Sequence, residues 1–150
     1  TKGGHGLKQM LFVCTGNTCR SPMAAALLRA LLDKRGGINI MVSSAGIAAA
    51  EGDPATPEAA AVLREKGLDL SGHRSRRVTA EDVRRADIIV TMSPSHALAL
   101  QSLGADAERI RVWTVPDPFG GGLAVYRRTR DTLEQEAARL AEELCGGPNK

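Results

Sequence analysis

With 150 residues, of which 43% are apolar and 25% charged, the chain has the length of one ordinary domain and can bury a sizeable core. A net charge of +3 is no sign of nucleic-acid binding, and an aromatic content of 3% argues against stacking platforms for single strands. No apolar run approaches the roughly 18 residues that cross a membrane, and no leader pattern is present, so a soluble cytoplasmic protein is expected, without a membrane partner.

Thr1 to Gly6 is set aside as a frayed or extraneous end, residues 7–146 are read as the domain, and 147–150 as a tail. Lys8 to Val13 is a strand. Ser21 to about Arg35 is a helix, with Ser21 as its N-cap, Pro22 at its first position and Gly36-Gly37 at its end. Ile38 to Ser43 is the second strand. Thr56-Pro57 opens a helix that runs to about Lys66 and stops at Gly67. Thr79 caps a short helix to Arg85. Asp87 to Thr91 is a β-branched strand buried on both faces. Ser93-Pro94 opens a helix to about Leu103, and Arg109 to Trp113 is the fourth strand, with Trp113 in the core. Leu123 to about Leu144 is a long last helix whose Tyr126, Leu133, Ala137, Leu140 and Leu144 recur at helical spacing. No repeat or linker interrupts the pattern.

Strands alternating with helices predict an α/β fold, a single-domain, doubly wound, four-stranded parallel sheet with helices on both faces. Ligands of such sheets bind beyond the carboxyl ends of the strands, at a topological switch point. Cys14, Ser44, Ser93 and Asp117 each follow one of the four strands, so the polar candidates converge on one rim.

The segment between the first strand and the first helix reads Cys14-Thr15-Gly16-Asn17-Thr18-Cys19-Arg20-Ser21-Pro22. A strand-to-helix loop turns its backbone N–H groups toward one point, and the helix N-terminus adds positive potential. Arg20 can grip two oxygens of a tetrahedral oxyanion. Such a cradle stabilises the thiolate form of Cys14, which makes it the candidate nucleophile for phosphoryl transfer onto sulfur. Gly16 is expected to take a positive φ so that the amides turn inward, and Asn17 to tolerate the left-handed region. Ser21 could cap the helix or donate its hydroxyl to Cys14. Asp117, in Val115-Pro116-Asp117-Pro118-Phe119, is the candidate general acid, though an ordinary Pro-Asp-Pro turn would read the same. Cys19 is either a small buried residue or a resolving thiol that captures oxidised Cys14 as a disulfide. His73 is more often structural than catalytic. The cysteine spacing lacks a second pair of ligands, so neither a metal nor another cofactor is expected.

Taken together, these residues resemble the low-molecular-weight protein tyrosine phosphatase family. The likeness covers nearly the whole chain after Leu7. It rests on Cys14 to Pro22, Ser43-Ser44-Ala45-Gly46, Gly72-His73-Arg74-Ser75-Arg76, Ala86 to Val90 before Met92, and Asp117-Pro118-Phe119. The resemblance implies a metal-free phosphatase of phosphorylated proteins that releases inorganic phosphate. Cys14 is then the nucleophile, Arg20 the phosphate binder and Asp117 the acid. The loop Thr15, Gly16, Asn17, Thr18, Cys19 and Ser21 surrounds the phosphate, and Asn17, Ser21, Ser44 and His73 hold it.

Within the family the chain is most similar to the bacterial protein arginine phosphatases. Thr18 stands where tyrosine-specific members carry an aliphatic residue, often Ile. Asp117-Pro118-Phe119-Gly120-Gly121, then Tyr126 and Thr129-Arg130-Asp131, stand where those members more often have Asp-Pro-Tyr. Two stretches depart from that pattern: Trp113 to Asp117 is short for the subgroup, and Ala48-Ala49-Ala50 is bland for a rim that meets substrate.

A phosphoarginine phosphatase is therefore the leading reading, with Thr18 and Phe119 setting specificity. A phosphotyrosine phosphatase on the same scaffold is the alternative. An arsenate reductase needs relay cysteines near the loop, and Cys145 is the only further one. A phosphate-binding module without chemistry would lack the nucleophile or the acid. A nucleotide loop would show Gly-Lys-Ser/Thr.

Overall fold

The computed structural model describes residues 8–36 and 39–146. Its strands are β1 (Lys8–Cys14), β2 (Ile40–Gly46), β3 (Ile88–Thr91) and β4 (Ile110–Val112). Its α-helices are α1 (Arg20–Arg35), α2 (Pro57–Arg64), α3 (Ala80–Arg85), α4 (Pro94–Ser102) and α5 (Leu123–Leu144). The sheet runs β2-β1-β3-β4 with every pair parallel.

Period-two alternation along β1 divides the interior. Met10 and Phe12 face one cluster with Leu28, Leu63, Leu133 and Leu140, from α1, α2 and α5. Leu11 and Val13 face the other, with Val83 of α3, Ile89 and Leu100 of α4. Helices thus cover both faces, as the doubly wound reading requires. From β1 the chain crosses to β2 on one side, whereas β3 to β4 proceeds in the opposite direction. Right-handed crossovers put α1 and α4 on opposite faces, and the switch point falls at the carboxyl end of β1, which is Cys14.

Two boundaries differ from expectation in ways that bear on the site. Helix α1 begins at Arg20, with Cys19 at the cap position and no side-chain cap bond. Ser21 is not the N-cap, because its hydroxyl is turned into the loop instead. Strand β2 starts at Ile40 and continues through Gly46, because pairing with β1 persists to Cys14 opposite Gly46. Ser44 therefore lies within the strand rather than after it. Small residues are required there: a Cβ on Gly46 would stand 2.6 Å from the Thr15 carbonyl oxygen.

The remaining elements shift by a few residues. Helix α2 stops at Arg64, two residues early, before the turn at Gly67 with φ 77°. Strand β4 is only Ile110–Val112, and Trp113 beyond it is half-buried against Phe12, with ring centroids 5.4 Å apart. The expected caps at Thr56, Thr79 and Ser93 are all made by side chains. Thr1 to Leu7, Gly37, Ile38 and residues 147–150 lie outside the described residues. Among the described residues no helix is long and apolar enough to cross a membrane.

Candidate active site

The loop between β1 and α1 closes around a cavity of about 190 Å³. Cys14, Thr15, Gly16, Thr18, Cys19, Arg20, Asp117 and Phe119 line it. Sequence positions a hundred residues apart thus share one wall. The short stretch after Trp113 still carries Asp117 to the loop.

Asn17 organises the loop from behind. It is the one non-glycine residue with positive φ (59°) among the described residues. Gly16, expected in that role, does not take a positive φ. The left-handed conformation costs an L-residue about 1–2 kcal/mol, and the side chain of Asn17 offsets this with three hydrogen bonds. Its Nδ2 donates to Ser21 Oγ at 2.8 Å and to Ser44 Oγ at 3.0 Å, and its Oδ1 accepts from the Arg76 backbone N–H at 3.0 Å. Its carbonyl oxygen lies 2.7 Å from His73 Nε2. A carbonyl only accepts, which assigns the ring proton of His73 to Nε2. Burial pulls the pKa of His73 below its ordinary value, the hydrogen bond to Asn17 opposes this, and the charges of Arg29 and Arg74 add to the lowering.

The same network orients Ser21. Its oxygen accepts from Asn17, so its own proton is free for Cys14 Sγ, 2.9 Å away. Cys14 is 2% exposed, so this hydroxyl replaces the water that would otherwise solvate a thiolate.

Arg20 is buried at the first position of α1, where the helix end leaves N–H groups unpaired. Its Nη1 donates to the Val115 carbonyl at 2.8 Å, Nη2 reaches Thr15 Oγ1 at 3.5 Å, and Nη2 lies 3.7 Å from Asp117 Oδ2. Asp117 is exposed, and its Oδ1 accepts from the Phe119 backbone N–H at 3.0 Å, a turn that fixes the carboxylate between two prolines. Phe119 is 72% exposed at the rim.

Cys19 Sγ lies 3.5 Å from the Tyr126 hydroxyl and 3.9 Å from Thr56 Oγ1. Burial and the neighbouring Cys19 push the Tyr126 pKa up to about 12, so its hydroxyl stays protonated. Thr18 Oγ1 is 3.8 Å from Cys19 Sγ, and its carbonyl accepts from Thr56 N at 2.9 Å.

The chain is similar over almost its full length to proteins of known class. The model of the family described as "low molecular weight phosphotyrosine protein phosphatase" matches residues 9–147. The chain belongs to that family. A protein-arginine-phosphatase of Bacillus subtilis (strain 168) is 40% identical over 146 residues, covering 90% of this chain and 95% of that one. The low molecular weight protein-tyrosine-phosphatase Wzb of Salmonella typhi is 33% identical over 148 residues, covering 91% and 93%. Among solved structures, a YwlE arginine phosphatase mutant whose active-site serine is phosphorylated superposes with a TM-score of 0.85. It is 37% identical, over 91% of this chain and 95% of the other.

In this low molecular weight phosphatase, one neighbour of the loop was not foreseen. His96, buried in the first turn of α4, places Nε2 2.9 Å from Thr15 Oγ1, and its Nδ1 is buried without a partner. Burial lowers its pKa, the Arg20 charge lowers it further, and Asp117 opposes both. Ser93 caps α4 as expected, accepting from the His96 backbone N–H at 3.3 Å, but it does not line the cavity on the rim, where it is also expected. The signal for His96 was indirect: a polar ring three residues after a cap that follows a central strand.

Proposed function

We propose that this chain is a protein arginine phosphatase working through a phosphocysteine intermediate. The observation that carries the reading is Thr18. It puts a hydroxyl and a methyl into the wall of the cavity that holds Cys14, where a longer aliphatic chain would narrow the site for a flat ring. The similarity to relatives named for the same activity supports it.

The Cys14 thiolate attacks phosphorus while the Arg20 guanidinium and the loop N–H groups hold the non-bridging oxygens. The P–N bond to the substrate guanidine breaks as Asp117 gives its proton to the departing nitrogen. Asp117, now ionised, takes a proton from water, which attacks the phosphocysteine. Sulfur leaves as a thiolate that accepts a hydrogen bond from the Ser21 hydroxyl, and inorganic phosphate departs. The phosphorylated serine of the related YwlE structure supports a covalent step at the nucleophile position. Phe119 offers a face for the substrate guanidinium. Asn17, Ser21, Ser44 and His73 keep the loop in its binding shape. Phosphorylated proteins are the substrates, and the cytoplasm is the compartment that suits a thiol nucleophile.

A protein carrying phosphoarginine, incubated with the natural chain, should release inorganic phosphate, and Cys14→Ser should release none. Undiminished release by Cys14→Ser, or none by the natural chain, contradicts the reading.

A further inference from the structure

Behind the loop lies a second cavity of about 370 Å³, larger than the first, and it shares no lining residue with it. It opens between α1, the edge strand β2 and the segment after α2, and its polar wall is Arg29, Arg74, Arg76, His73, Ser43 and Ser44. Three guanidiniums around one concavity repel each other unless something compensates them. Arg76 has Asp82, whose Oδ2 lies 3.0 Å from Nη1. Arg29 donates to the Val42 carbonyl, and Arg74 to the carbonyls of Ser71 and His73. Among the described residues neither Arg29 nor Arg74 meets a carboxylate. Asp69 also borders the cavity, but its two oxygens accept from the backbone N–H and the hydroxyl of Ser71. Two unpaired guanidiniums therefore face one partly committed carboxylate, with two serine hydroxyls and an imidazole alongside. That donor set fits a multiply charged oxyanion, and the volume admits more than a bare ion.

We propose that this second cavity binds a small phosphate-bearing anion, distinct from the substrate phosphoryl group. The site is coupled to the catalytic loop through Asn17. His73 and Ser44, both in the wall, are hydrogen-bonded to the Asn17 carbonyl and side chain. Burial is the main cause that keeps the His73 ring neutral, and the charges of Arg29 and Arg74 add to it; an anion beside them offsets those two charges and favours the protonated ring. A protonated His73 then donates more strongly to Asn17, which steadies the loop. The proposal requires no particular substrate at Cys14, so it stands or falls separately from the arginine phosphatase reading.

The test is an NMR titration of the 15N-labelled full chain, as Cys14→Ser to prevent turnover, with inorganic phosphate in one arm and adenosine monophosphate in the other. The His73 ring and Arg29 Nε signals should saturate with a Kd different from that of the Gly16 and Thr18 amides. Arg74→Ala should weaken the His73 response about tenfold, the loss of one charge-assisted contact, and leave the amide response unchanged. In the otherwise natural chain, Arg74→Ala should leave kcat/KM on a minimal substrate unchanged, which also shows that the variant folds. Tighter binding of the nucleotide assigns a nucleotide-borne phosphate, and equal binding assigns the free ion. A single Kd for both groups of signals in both arms, or a His73 response indifferent to Arg74→Ala, overturns the proposal.

Discussion

The Arg20 guanidinium lies 3.7 Å from the Asp117 carboxylate and donates to the Val115 carbonyl at 2.8 Å. The residue proposed to bind phosphate therefore also pins the loop that carries the proposed acid. A phosphoryl group entering between them gains both partners at once, with little further ordering. Asp117→Asn should keep the tether to Val115 and lose the proton. Its kcat should fall by about 10²–10⁴-fold for leaving groups that need protonation, and far less for activated aryl phosphates. Steady-state rates across a leaving-group series measure this, and a uniform fall would assign the acid role elsewhere.

His96 supports the same guanidinium through Thr15, which meets the Nη2 that also faces Asp117. Its folded pKa lies below its usual 6.5. The unfolded chain therefore binds the proton first as pH drops. The contribution of neutral His96 is complete above about 6.5 and is lost as pH falls below that value toward the folded pKa. Denaturant unfolding of natural chain and His96→Gln should show a shallower acid slope in the variant, with kcat reduced several-fold. Identical slopes would mean that His96 is not held neutral.

A surface carboxylate adds a small pH-dependent contribution to stability at lower pH. Glu65 at the end of α2 binds Arg127 at 2.8 Å and Arg130 at 2.7 Å on α5, and these partners lower its pKa from 4.5 to about 2. Its stabilisation is present above about 4.5 and disappears as pH falls to about 2. Glu65→Gln should be less stable than the natural chain at neutral pH and should converge with it in acid. A constant gap across that range would assign the effect to packing instead.

Much of the architecture was legible because local signals and the global pattern agree. Thr56-Pro57, Thr79 and Ser93-Pro94 each open a helix where capping chemistry places one, and the β-branched Ile88 to Thr91 forms a buried strand. The failures cluster at the loop. Ser21 has the sequence signature of a cap, but the pull of Asn17 and Cys14 on its hydroxyl decides its position. Gly16 does not take the positive φ expected of it, whereas Asn17, expected to tolerate that region, takes it and satisfies three partners with its side chain. Strand β2 runs through Gly46 because its pairing with β1 persists to Cys14, whereas the small residues Ser44 to Gly46 carry little of a strand's β-branched signal. His96 meets Thr15 across 81 positions, a contact that local pattern does not encode.

Cys19 is buried against Tyr126 one residue before Arg20, on the loop that starts at Cys14. A resolving role for Cys19 predicts that peroxide oxidises the Cys14 thiolate to a sulfenic acid, from which the Cys19 thiol displaces water to form a disulfide that dithiothreitol reduces. Peroxide-treated natural chain should recover nearly full activity in dithiothreitol, whereas Cys19→Ser should recover little. Equal recovery would leave Cys19 a packing residue.

Thr18 lines the cavity and is the residue on which the proposed choice of substrate turns. The decisive measurement is kcat/KM on matched phosphoarginine and phosphotyrosine peptides, for the natural chain and for Thr18→Ile. The account predicts a strong phosphoarginine preference in the natural chain that collapses or reverses in Thr18→Ile, because the added bulk narrows the wall for a flat ring and removes the hydroxyl. A phosphotyrosine preference in the natural chain, or a preference that Thr18→Ile leaves untouched, would contradict it.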